Sequence, residues 1–383
     1  MEQPPEKKPH IVFLFSDTGG GHRSAAEAII EALNLEFPNQ FSHEMVDFFL
    51  KYAPPPLNWA GPTYPAMSRM EEAWGLMFKT SDDPDRIRVV FKMFWPYVRL
   101  GMYKLLREHP ADVYVTVHPL INTPLLRGMK KMGIKTPLIT VVTDLVTTHA
   151  AWFTDGADVI VIPSEKALPR AVRSQTDPLK MRIIGLPVAD RFCRPTASKK
   201  KLREKLGWPQ DLPIILLVGG GEGMGPLGKV ANAINDRAFP AGLAVVCGKN
   251  RKLKNKLEKL DWKLPSYIYG YMKDMPSLMH AADIIITKAG PGTISEAMIA
   301  GLPIILYHRI SGQEEGNVAF VTDEGAGVWA PETEQIIDTL REWIENPKAR
   351  KKASEISHSL GRPYAAREIA RVVAHYASEP PLK

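Results

Sequence analysis

Cysteine is almost absent from this sequence. Only Cys193 and Cys247 occur among 383 residues, without a CxxC pair or Cys/His spacing, which excludes a disulfide framework and a cysteine-based structural zinc site. Long hydrophobic runs are lacking as well. None approaches the roughly 18–20 residues that cross a bilayer, and the opening "MEQPPEKKPH" leads into a strand rather than a signal-peptide core. A cytoplasmic protein is expected. With 45% hydrophobic and 24% charged residues, disordered and collagen-like classes drop out. The charge imbalance is modest. A net charge of +7 favours anionic partners in general, whether nucleotides, phospholipid headgroups or nucleic acid, and does not choose among them.

What is present is a repeated alternation of apolar strands and helical patterns. "HIVFLFS", "DVYVTV", "PLITVVTD" and "DVIVIPS" form a first strand series, and "PIILLVGGG", "GLAVVCGK", "SYIYGYM", "ADIIITKAG" and "LPIILYH" a second. Such strands, with little polar alternation, are those buried on both faces by helices. Prolines and a basic run separate the series. The expectation is therefore an α/β chain of two tandem Rossmann-like domains facing a cleft: residues 1–190, a linker at 191–211, residues 212–355, and a C-terminal helix in 356–383. Ligands of such sheets bind at the carboxyl ends of the strands.

In "FLFSDTGGGHRSAAEAII" an apolar strand runs into Gly19, Gly20 and Gly21, then into a helix opening at His22. Glycines there permit a tight turn and close backbone approach, and the helix start offers unpaired N–H groups. An imidazole beside that positive end has its charged form disfavoured, which makes His22 the general-base candidate. The bland alternative is a plain strand-to-helix turn. The second series repeats the device in "LLVGGGEGMGPLGKV", with Gly220 and Gly221 after the strand. A Walker loop needs Ser or Thr where Val230 stands, and a dinucleotide site needs an acid where "AVVCGKN" ends, so ATPase and dehydrogenase readings are rejected.

The densest signal is "DIIITKAGPGTISEAMIAGLPIILYHRISGQEEGN", residues 283–317. A strand ending at Lys288 meets a turn through Gly290, Pro291 and Gly292, and Thr293 lies in the first turn of the next helix. Helix amides can seat a diphosphate without a metal, Lys288 adds charge, and Glu296 can accept two hydrogen bonds from a ribose diol. Gln313, Glu314 and Asn317 stand where polar side chains read sugar hydroxyls. The bland alternative is an ordinary helix capped by Thr293 or Ser295.

Together "SDTGGGHRSAAEAI", "ITKAGPGTISEAMIAGLPIIL" and "GQEEGN" resemble the monogalactosyldiacylglycerol synthases and the processive diacylglycerol glucosyltransferases of bacteria, inverting GT-B enzymes related to the peptidoglycan N-acetylglucosaminyltransferase. "VHPL", "VVTDLVTTHAAWF", "PSEKA", "GLPV", "VCGKN" and "GYMKDMPSLM" look like the synthase branch, and the likeness spans roughly residues 10–375. It implies a UDP-sugar, galactose favoured over glucose, held by the second domain: Tyr271 and Met272 at the uracil, Glu296 at the ribose, Lys288 to Thr293 at the diphosphate, Gln313 and Glu314 at the hexose. It implies diacylglycerol as acceptor at His22, no metal or other cofactor, and no nucleic acid partner. The segment 51–84 is the least well matched.

In "RIRVVFKMFWPYVRLGMYKLLRE", Ile87, Phe91, Phe94, Val98, Met102 and Leu105 form one helical stripe, and Arg88, Lys92, Trp95, Arg99 and Tyr103 a second. Cations interleaved with aromatics suit an anionic membrane face, and peripheral attachment on the cytoplasmic side is expected; the bland alternative is an ordinary amphipathic helix, bent by Pro96, whose apolar stripe packs on the first domain and whose basic stripe is solvated. Asp144 can orient or replace His22, or merely cap a turn. His149 and Trp152 can line the acceptor site, and His118, before Pro119 at a strand end, can face the site or pack, with the site role not favoured over packing. A UDP-sugar epimerase and a nonenzymatic nucleotide-sugar module are the competing functions.

Overall fold

Ile11–Phe15, Val113–Thr116 and Val159–Ile162 carry hydrophobic side chains at nearly every position and are buried throughout, as strands covered by helices on both faces must be. A computed structural model describes residues 8–17, 20–59, 71–174, 176–223 and 225–378. Gly19, and the part of the 51–84 segment at 60–70, lie outside the described residues. The chain divides into two compact units. One holds the residues up to Asp190, Ser311–Gln313 and the chain from Tyr364; the other holds Arg191–Ile310 and Glu314–Pro363.

The first unit is built on β1 (His10–Phe15), β2 (Ser42–Asp47), β3 (Val113–Thr116), β4 (Leu138–Val141), β5 (Val159–Ile162) and β6 (Met181–Ile183). All pair in parallel in the order β2-β1-β3-β4-β5-β6. The second contains β7 (Ile214–Val218), β8 (Gly242–Val246), β9 (Ser266–Tyr269), β10 (Ile284–Lys288), β11 (Ile304–His308) and β12 (Gly327–Trp329), parallel in the order β12-β11-β10-β7-β8-β9. In the first sheet the winding reverses between β1 and β3; in the second it reverses between β7 and β10. A crevice opens at such a reversal, because the two crossovers leave in opposite directions.

The helix Ala365–Ser378 lays Ile369, Ala370 and Val373 against Ala25, Ile29 and Leu33 of the helix Gly21–Glu36. Arg367 fastens it, donating to Asp190 at 2.7 Å and to Glu36 at 2.8 Å. The stretch read as a linker, 191–211, is instead a packed part of the second unit. Its helix Lys199–Leu206 buries Leu202 and Arg203, and Trp208 follows it inside. The Arg203 guanidinium donates to the carbonyls of Ala281 at 2.9 Å and Leu212 at 3.1 Å and pairs with Asp283, so this cation of the basic run is a committed donor inside the unit.

The helix Pro84–Glu108 starts where Asp83 accepts from the amides of Asp85 and Arg86, a regular N-cap with proline at the first position. It buries Ile87, Val98, Met102 and Leu105 of the first stripe, but Phe91 is only partly covered and Phe94, at the stripe's margin, turns outward and is 47% exposed. The second stripe needs correction. Arg88, Lys92 and Arg99 are exposed, but Trp95 is only 7% exposed, edge-on to Tyr103 with the Arg127 guanidinium 4.9 Å from its ring. It fills the core and cannot touch a membrane. The outward apolar residues are Val89, Met93, Phe94, Tyr97 and Leu100; Val89, Met93, Tyr97 and Leu100 follow one another at helical spacing. At Gly101 a side chain would overlap the Tyr52 carbonyl, so glycine lets this helix close onto Phe48–Tyr52.

Candidate active site

At the first reversal, Gly20 takes φ +80° and serves as N-cap of Gly21–Glu36 with no side-chain cap, and no acid occupies the first turn. Space beyond Gly20 and Gly21 is open. His22, second residue of this helix, meets His118, which follows β3 and caps the helix Pro119–Met132 by accepting from the Leu120 amide at 3.3 Å. Their ring centroids lie 4.6 Å apart. Phe49 packs on His118 at 5.2 Å, and Trp152 lies 6.2 Å from His22. The Thr143 hydroxyl stands 3.0 Å from His22 Nδ1.

Enclosure governs the charge of this cluster. Burial pushes His22 down to about 4, against a smaller upward pull from the Val117 carbonyl. Burial, then the neighbouring His22, holds His118 well below its ordinary value. Both imidazoles are neutral near pH 7, and since the Nδ1 of His118 is taken by the Leu120 amide, His22 is the one placed to accept a proton.

Asp144 does not reach His22 by any hydrogen bond between them. Its carboxylate accepts from Trp152 Nε1 at 2.6 Å and from Gln313 Nε2 at 3.1 Å. Successive residues at a strand end point to opposite sides, so Thr143 rather than Asp144 faces the base. Trp152 is fully buried and walls the cluster. His149 is framework: its Nδ1 accepts from the Ala151 amide at 3.0 Å, Nε2 lies 3.1 Å from Ser81 Oγ, and Phe78 meets the ring edge-on. Burial lowers it, too, to about 4. Thr143 and the full part played by His118 escaped the sequence reading, although both adjoin residues or strand ends that it singled out.

At the second reversal, the loop after β7 and the turn after β10 meet around Lys288. Gly220 has φ +68°, the reason for glycine there, and a Cβ on it would rest in ordinary contact with the Lys288 chain, while Gly221 borders open space. The helix Pro291–Ile299 has Gly290 as N-cap with no side-chain cap, so neither Thr293 nor Ser295 caps it. Pro291 has no N–H to offer, and the amides of Gly292 and Thr293 remain as first-turn donors. Glu314 is buried; its carboxylate accepts from Lys288 Nζ at 2.7 Å and from the Ile310 amide at 2.8 Å. Asn317 donates to the Ala289 carbonyl at 2.9 Å, and its buried Oδ1 has no partner among the described residues. Glu296, one turn inside the helix, is pushed up to about 8 by burial, opposed by the more weakly acting Arg191. Tyr271 is exposed and Met272 half-buried just beyond β9. Gln313 groups with the first unit, bonded to Asp144.

The sequence profile of monogalactosyldiacylglycerol (MGDG) synthase matches residues 22–188, and that of the glycosyltransferase family 28 C-terminal domain matches residues 214–369. Monogalactosyldiacylglycerol synthase 3, chloroplastic, from Arabidopsis thaliana is 37% identical over 98% of this chain and 83% of its own length. Among solved structures, the calicheamicin glycosyltransferase CalG4 superposes with a TM-score of 0.60 at 13% identity, over 98% of this chain and all of its own. The UDP-GlcNAc 2-epimerase from Neisseria meningitidis, bound to UDP-GlcNAc, reaches 0.59 at 16% identity, over 96% and 100%. The two Rossmann-like sheets are thus those of the GT-B fold, which by itself does not separate a transferase from an epimerase.

The proton on Glu296 has a measurable consequence. The folded state keeps a proton that the unfolded chain loses between about 4.5 and about 8, so this group's contribution to stability falls as pH rises through that window. Glu296→Gln mimics the protonated acid and removes that contribution. Urea midpoints recorded across the window will decline less steeply for the variant; parallel pH profiles would show that Glu296 is ionised in the fold.

Proposed function

The chain belongs to the monogalactosyldiacylglycerol synthase family, and from this we infer that it transfers galactose from UDP-galactose to the 3-hydroxyl of diacylglycerol, giving a β-linked monogalactosyl lipid. The observation carrying the chemistry is the neutral, half-enclosed His22 at an uncapped helix start. The acceptor hydroxyl gives its proton to the imidazole as its oxygen attacks the anomeric carbon from the face opposite UDP. The carbon–oxygen bond to the diphosphate breaks with its electrons passing to UDP, so the configuration inverts.

The amides of Gly292 and Thr293 and the Lys288 ammonium meet the charge that develops on the diphosphate, with no metal in the scheme. Glu314, with both oxygens engaged, acts by fixing Lys288 rather than by touching the hexose. Gln313, whose Oε1 lacks a partner among the described residues, reads a hexose hydroxyl. Glu296 takes the ribose diol, with Tyr271 and Met272 beside the uracil.

The acceptor is a membrane lipid, and the helix Pro84–Glu108 supplies a docking face. Exposed Val89, Met93, Phe94, Tyr97 and Leu100 run beside exposed Arg88, Lys92 and Arg99, apolar contact flanked by cations that suit anionic headgroups. No helix among the described residues is long and apolar enough to span a bilayer; the attachment proposed here is by this face.

Purified protein given diacylglycerol vesicles with UDP-galactose or UDP-glucose will form a monogalactosyl lipid from the first donor, and His22→Ala will slow it by roughly 10²–10⁴-fold. Glucolipid instead would reassign the donor, and sugar isomerisation without lipid would favour the epimerase. For the docking face, Met93→Asp with Leu100→Asp will weaken sedimentation with phosphatidylglycerol vesicles by at least about tenfold. Unchanged binding would move the attachment elsewhere.

A further inference from the structure

We propose that Thr143 is the positioning residue for His22, setting its tautomer through a hydroxyl where a histidine base commonly has a carboxylate partner. This rests on the galactosyl-transfer reading above. Three observations converge on it. The Thr143 hydroxyl lies 3.0 Å from His22 Nδ1 and is itself buried. The nearby carboxylates are committed elsewhere: Asp144 to Trp152 and Gln313, Asp17 to Arg23, and Asp47 to the amides of Asp17 and Leu50. The ring is also confined, with His118 packed at 4.6 Å and the Val117 carbonyl acting on it, so that the bond to Thr143 adds to an orientation its surroundings already restrict.

The chemistry that follows is specific. A hydroxyl can donate or accept; in the proposed arrangement Thr143 Oγ1 accepts from Nδ1–H, which leaves the Nε2 lone pair to take the proton of the acceptor hydroxyl. When Nε2 is protonated, Nδ1 remains the donor and the bond to Thr143 persists through the transfer. A neutral oxygen there raises the ring's basicity less than a carboxylate would. It also leaves no buried negative charge beside the amides at the helix start. His118 cannot take Thr143's place, because its own Nδ1 is occupied by the Leu120 amide.

The test uses the full chain with Thr143→Val, which keeps the branched shape without the hydroxyl, Thr143→Ser, which restores it, and Thr143→Ala as a second deletion. Galactosyl transfer to diacylglycerol in phosphatidylglycerol vesicles gives kcat and KM. Nitrogen-15 shifts of labelled histidine, with His22 identified by its loss in His22→Gln, give the tautomer. The expected result is a kcat lower by roughly ten- to hundredfold in the valine and alanine variants, with the KM for UDP-galactose retained and the serine variant within a few-fold of the parent. His22 will be the Nδ1–H tautomer in the parent and serine proteins and will lose that preference in the other two.

An unchanged tautomer in the valine and alanine variants overturns the proposal, as does a serine variant no better than valine. Should the parent make no galactolipid, the transfer reading fails, but the tautomer shifts still decide the role of Thr143.

Discussion

Parallel strands send every crossover out from the same edge of a sheet, and where neighbouring crossovers diverge the two helices leave an opening that neither can fill. Both units are organised by this constraint. Between β1 and β3 the opening brings His22 and His118 together from helix starts nearly a hundred residues apart. Between β7 and β10 it brings the Gly220 loop to Lys288 and the uncapped start of Pro291–Ile299. Uncapped amides and enclosed titratable groups gather at these places because strand ends and helix starts meet there. The remaining elements hold them in register. Arg367 locks the last helix to the first, and Arg203 ties the segment after the first unit into the second sheet.

Enclosure does opposite things to the two kinds of group. A base loses its proton and an acid keeps one, since burial penalises the charged form of each. His22 is therefore free to take a proton at neutral pH, whereas Glu296 meets a ligand as a neutral acid. Lys288 is instead paired with Glu314, which is buried beside it, and the pair fixes the amine next to the proposed diphosphate seat.

The apolar strands, the two glycine loops and the 283–317 constellation were legible in the sequence because each rests on local pattern: continuous hydrophobicity, consecutive glycines, a strand followed by a helix start. β2, β6 and β12 were not, since the edge strands "SHEMVD", "MRI" and "GVW" are only partly covered and the last two are three residues long. Trp95 was misplaced because periodicity alone leaves a wide tolerance in the angle of a stripe, and an aromatic at its margin turns inward where a core has room. The partner of His22 was missed by one position. Asp144 carries the more obvious chemistry, but side-chain alternation at the strand end gives the contact to Thr143, and nothing local in "VVTD" reveals which residue faces the helix.

The account stands or falls on His22 being an uncharged base. Titration of its ring proton by NMR, with the signal identified through His22→Gln, tests this most directly. The account predicts an imidazole that stays neutral down through pH 6.5 and protonates only near about 4. A midpoint at 6.5 or above would contradict it, because the group facing the acceptor would then carry a proton over the range in which it is required to accept one.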